Sequence, residues 1–174
     1  MSSEANLDIM ALHREFAETE HGLQLAGQVR YERYKPDGVS YARWIEILGV
    51  DVNNLGHMQL TWGLSRDMNR QLRIQQPGFL DEHDEKMLEV MAIIHDRGEA
   101  VVGDVNFGEK SEEFEAAERE ALAGMVDGSH QLIQEAALLL DTDSKLGLVF
   151  NSVERVIYEN STKSCKSRSK RFCS

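Results

Sequence analysis

The stretch "MAIIHDRGEAVVGDV", residues 91–105, carries an apolar run straight into adjacent His95 and Asp96. Glu99 follows three positions after Asp96, and Asp104 comes eight after it. Read with the preceding "DEKMLEV", the segment is a helix that is polar at first and apolar by its end, with Gly103 stopping it or a short helix after it. A carboxylate beside apolar packing costs several kcal/mol unless it is paired or bound to a metal. An imidazole nitrogen with a carboxylate oxygen suits Mn, Fe, Co, Ni or Zn, and Mg is a further option through the carboxylates. Two such groups do not make a site, so other ligands must come from elsewhere in the fold.

His57 is the natural third ligand, at the start of an otherwise apolar helix between Leu55 and Met58. Glu99 lies on the helical face of Asp96 one turn later, where it could orient or deprotonate water on a cation. Asp104 follows a glycine at the helix end and could serve as a second acid or base, or hold substrate. On their own these two acids would read as solvated helix-end charge. "DEHDEK" contains another His-Asp pair, His83–Asp84, but its neighbours are charged and it opens a helix after a Pro-Gly loop, so capping and first-turn acidity explain it.

Working outward, the organisation reads as all-α, since no segment alternates with period two. Residues 6–34 show a helical pattern broken by Gly22 and Gly27, and "YKPDGVS" is a turn. Ser40 can cap a helix through "YARWIEIL" that stops at Gly49, and another helix starts around Asn54. "SEEFEAAEREALAGMV", "SHQLIQEAALLL" and "SKLGLVFNSVERVIYEN" make three more. The 174 residues are 41% hydrophobic and 28% charged with two prolines, which bounds a single globular helical domain over 1–160. The formal charge of −11 disfavours a stable nucleic-acid complex. Lys163, Lys166, Arg168, Lys170 and Arg171 crowd the last residues, so 161–174 reads as a basic, disordered tail. No apolar run approaches the roughly 18 residues of a membrane span. The start is acidic without an apolar signal core, and Cys165 and Cys173 suggest no disulfide framework. A cytoplasmic location is the expectation.

"HDRGEAVVGD" resembles the HD-domain superfamily of metal-dependent phosphohydrolases, and within it the branch of bacterial 5'-deoxynucleotidases, over about residues 41 to 158. The resemblance implies an HD-domain helical bundle of about five to seven helices and a divalent transition metal. It also implies a small-molecule nucleotide substrate and a homo-oligomer. Metal ligands carried over are His57, His95 and Asp96, with the motif's proton-handling acids on Glu99 and Asp104. The branch's Arg-Trp pair, which contacts the nucleotide, falls on Arg43 and Trp44, although core packing reads equally well for Trp44. Lys110 falls where the family often has a phosphate-reaching Lys. Two departures stand out: Leu55-Gly56 precedes the first His, and "NSVE" puts Asn151 where a late-helix Asp is usual. An amide oxygen can coordinate but brings no charge, and Asp141 or Asp143 are substitutes unless they merely cap a helix. The expected reaction is phosphate release from deoxynucleoside monophosphates. The alternatives are triphosphate cleavage on the same scaffold, or a degenerate protein that only binds nucleotide or metal.

Overall fold

The structure, a computed structural model, describes residues 7–105 and 110–172. The helices are α1 (Ile9–Ala17), α2 (Glu20–Gly27), α3 (Tyr41–Leu48), α4 (Asn54–Gln75), α5 (Glu82–Ile94), α6 (Glu99–Val102), α7 (Glu112–Val126), α8 (Gln131–Leu139) and α9 (Lys145–Phe172), with 3-10 turns at Glu32–Tyr34 and Gly49–Asp51. Among the described residues no strand forms; one antiparallel bridge joins Val29 to Asn53. The protein is all-α, and the six helices of nine or more residues fall within the five to seven expected from sequence. No helix among the described residues is long and apolar enough to cross a membrane.

Local chemistry sets the helix starts. The side chains of Asn53, Ser40, Ser111 and Asp81 accept from backbone N–H groups of the first turns of α4, α3, α7 and α5. At α5 the arrangement is reciprocal: Asp81 accepts from the Asp84 N–H at 2.8 Å, and Asp84 accepts from the Asp81 N–H at 3.3 Å. The His83–Asp84 pair is therefore a helix start, and Asp84 also pairs with Lys145 of α9.

α5 is the central rod. Met87, Leu88 and the whole run Val90–Ile94 are buried, so the last turns of this helix are apolar all round. Ile9 of α1, Leu122 and Val126 of α7, Leu132, Ile133 and Ala136 of α8, and Leu146 and Phe150 of α9 close the core around it. A smaller cluster of Phe16, Leu25, Met58 and Ala100 joins α1, α2, α4 and α6.

Of the two readings the sequence left open for Gly103, the structure shows the second: α5 stops before His95, and α6 is a separate short helix that Gly103 ends. Arg97, Glu99 and Ala100 donate to carbonyls three residues back, tightening the chain. Beyond the break, at Gly98, the chain passes α7 so closely that a Cβ would sit 2.4 Å from the Glu118 carbonyl. Gly103 then ends α6 with φ of 88°, a conformation glycine adopts without strain. At the C-terminus, the backbone of 161–172, which the sequence reading took as a basic tail, continues α9 to Phe172. No Pro or Gly follows Gly147 there, and lysines and arginines suit the negative end of the helix dipole. Cys173 lies outside the described residues.

Because Met91 has no exposed surface and packs from every side, Met91→Ala should cost about 2–5 kcal/mol through the cavity it leaves. Urea unfolding should show this as a lower midpoint with an unchanged slope.

Candidate metal centre

Two ligand-type side chains of the turn after Ile94 meet a third from α4. His57 of α4, with His95 and Asp96 of the α5–α6 turn, are all buried, and one donor atom from each lies within 4.8 Å of the others. His95 Nε2 is 3.3 Å from Asp96 Oδ1, and His57 Nε2 is 3.9 Å from Asp96 Oδ2. The two rings meet edge to face at 5.4 Å, and Phe150 closes over His95 at the same distance.

Both imidazoles have their other nitrogen committed. His95 Nδ1 lies 3.0 Å from the Ala92 carbonyl. That oxygen can only accept, so Nδ1 carries a proton and Nε2 faces the centre. His57 Nδ1 lies 3.1 Å from Asp51 Oδ1. Burial pushes Asp51 up, but the hydrogen bond from His57 and the Arg30 charge hold it below the ordinary carboxylate range, so it too acts as acceptor. Burial and the nearby Arg30 charge hold His57 below its usual value, favouring the neutral, ligating ring. A histidine held by a carboxylate or carbonyl on one nitrogen and open on the other is the usual arrangement at metal sites.

The remaining test of fit is polar satisfaction. His95 Nε2 is buried and makes no hydrogen bond, an omission that costs about 1–3 kcal/mol in a core. Two imidazole nitrogens and a carboxylate suit a divalent transition ion, and one bound among them satisfies this orphan atom. Burial alone raises Asp96, yet the surrounding His95, His57 and Arg30 hold it low, so its oxygens stay ionised.

A ring of acids surrounds this triad. Burial, Asp96 and Asp104 push Glu99 up to about 9, and burial raises Glu118 and Glu154 as well. Each is a carboxylate whose ionised form calls for more positive charge than the chain supplies. Glu154 Oε1 lies 3.2 Å from His95 Nε2. Asp96, Glu99 and Glu118 form a second group able to hold an ion, sharing Asp96 with the first. Arg30 reaches the Asp96 carboxylate at 3.4 Å and Asn54 Oδ1 at 2.8 Å, while Asn54 donates to Glu99 Oε2.

The cluster stands where two cavities meet. One, of about 690 Å³, is lined by Arg30, His57, Glu99, Asp104 and Tyr158. The other, of about 920 Å³, lies along α7 and α8 over Leu122, Val126 and Leu138. Asp96, Lys110, Asp141 and Glu154 line both.

The structure thus brings together His57, His95, Asp96, Glu99 and Lys110, with Asp104 exposed at the mouth of the smaller cavity. It does not bring in Arg43 or Trp44. Trp44 is fully enclosed with Ile47 against Val29, Tyr31 and Tyr34. Arg43 is exposed and pairs with Glu46 at 2.7 Å. The reason is the register of α3, whose apolar face consumes Trp44 and turns Arg43 outward. Asn151 is exposed and lines the smaller cavity, and Glu154, one turn later on α9, reaches His95. Asp141 sits at a left-handed turn facing both cavities, and Ser144 rather than Asp143 caps α9 by accepting from the Gly147 N–H at 3.0 Å. Sequence reasoning missed Arg30, Asp51, Asn54 and Glu118. Glu154 was visible as the last residue of "NSVE", where only the first position drew attention.

Comparison of the chain with protein families, with curated proteins and with solved structures gave no match in any of the three.

Asp51→Asn should weaken Co²⁺ or Mn²⁺ binding about 10- to 100-fold, because it loosens the His57 tautomer without touching a ligand. Metal titration checks this. In the wild-type protein, ion at 100 times its Kd should add about 2.7 kcal/mol to stability, read as a rise in Tm.

Proposed function

We propose that the protein is a metal-dependent phosphohydrolase that releases phosphate from 5'-deoxynucleotides. The observation that carries this reading is the His57–His95–Asp96 triad, with both Nε2 atoms turned to one ionised carboxylate at the junction of two cavities. The likeness of "HDRGEAVVGD" to the HD-domain motif supports the choice of reaction. A divalent ion held by these residues would polarise a phosphoryl oxygen and acidify water beside it.

The chain's own residues supply the rest. Hydrolysis of the phosphate ester needs a base for the proton of the attacking water and an acid for the leaving 5'-oxygen. Glu99 and Asp104 line the same cavity as the triad and are the available proton carriers. Glu99 is oriented by Asn54 and Lys110, which fix both its oxygens. Arg30, Lys110 and Arg155 line that cavity too, bringing positive charge to a substrate that an acidic surface would otherwise repel. The cavity volumes of about 690 and 920 Å³ lie in the range that encloses small molecules.

The test is product analysis with Mn, Co, Zn or Mg on a panel of deoxynucleoside mono- and triphosphates, with His95→Ala and Asp96→Ala as controls. Nucleoside and orthophosphate from the monophosphates, lost by at least 100-fold in both variants, is the expected result. Nucleoside and tripolyphosphate from the triphosphates would move the activity to triphosphate cleavage. No turnover with any metal would leave a binding protein on this scaffold.

A further inference from the structure

Lys110 occupies an unusual position for a residue expected to meet phosphate. Its ammonium lies 3.1 Å from Glu99 Oε1 and 2.8 Å from Glu118 Oε2. Those two carboxylates, with Asp96, place donor atoms within 4.8 Å of one another, and Asp96 also belongs to the histidine triad. Asp96 is thus shared by two groups of ligand-type side chains, and in two-metal sites the two ions stand about 3.5–4 Å apart. The cation already there is the protein's own.

Several features hold it in place. Lys110 immediately precedes Ser111, the cap of α7, and Glu118 lies two turns along that same helix. The ammonium also lies 5.8 Å from the centre of the Phe114 ring. Gly98 lets the α5–α6 turn pass within contact of the Glu118 backbone, fixing the gap between Glu118 and the Asp96–Glu99 segment. Glu99 and Glu118 keep only 5% and 15% of their side-chain surface exposed, and both face the Lys110 ammonium rather than solvent.

We propose that the Lys110 ammonium stands in for a second divalent ion, so that the centre takes one ion and removal of this side chain opens the position to another. The inference rests on the metal-centre reading and deepens it. An ammonium offers hydrogen-bond donors and one fixed charge but leaves no room for a second set of ion–oxygen bonds. Lys110 is thus a positioning residue, acting on Glu99 and Glu118 and setting the ion count of the site.

The experiment is Mn²⁺ loading of the full chain, with metal analysis after dialysis and electron paramagnetic resonance of the bound ion. Wild type should hold one Mn²⁺ per chain with an isolated six-line spectrum. Lys110→Met and Lys110→Gln should each hold two, with the exchange-coupled spectrum of neighbouring ions. Adding Glu118→Gln to either should return the count to one. Two ions in the wild type overturns the inference whatever the variants do. One ion in variants whose circular dichroism matches wild type overturns it as well. A wild type that holds no ion, and gains no Tm from Mn²⁺ or Co²⁺, overturns the metal-centre reading and this inference with it.

Discussion

An ionised carboxylate stands just beyond the buried apolar run Val90–Ile94 that ends α5, and the surrounding design follows from keeping it charged. Asp96 is walled in by the same packing that buries Val90 through Ile94. Left alone there, it would take up a proton. Arg30 from the segment after α2, His57 from α4 and His95 beside it prevent this. Each of those partners is held in turn: Arg30 by Asp51 and Asn54, His57 by Asp51, and His95 by the Ala92 carbonyl. The polar groups form a connected network, in which loss of one member leaves another buried without its partner.

The backbone makes that network possible. α5 does not run on as a regular helix through His95, Asp96 and Glu99. The tightened turn from His95 to Gly98 gathers them, and the absence of a side chain at Gly98 lets that turn lie against α7. α7 consequently brings Glu118 and Lys110 up to Glu99. α9, packed on the core through Phe150, Val153 and Ile157, delivers Glu154 to His95 from the opposite side. Short local interactions set the direction of each helix, and the apolar core sets which faces meet.

The residues singled out in the sequence divide accordingly. The helices at Ser40, Asn54 and Ser111 were legible because capping chemistry is local and the residues that perform it sit beside the turns they satisfy. His57, His95 and Asp96 were legible because polar, ligand-type residues interrupt apolar runs. The His83–Asp84 pair was correctly set aside on the same logic, since its neighbours are charged. Trp44 illustrates the opposite case: an indole suits either a base or a core, and only the packing of α3 shows that it is core.

What the sequence by itself determined is the all-α class, most helix starts, and the identity of the central triad, because these depend on period, caps and residue chemistry along the chain. The tertiary structure alone decided the company the triad keeps. Arg30 and Asp51 are joined through the backbone contact between residues 28–30 and 52–53, which no local pattern announces. Glu154 rather than Asn151 faces His95 because the rotation of α9 is fixed by its apolar stripe against α4 and α5, not by motif spacing. Lys110 meets Glu99 and Glu118 rather than open solvent because Gly98 brings α7 close. In each case the partner lies far along the chain or is selected by helix rotation. The cost of leaving a buried charge unpaired is collected only once the chain has folded around it.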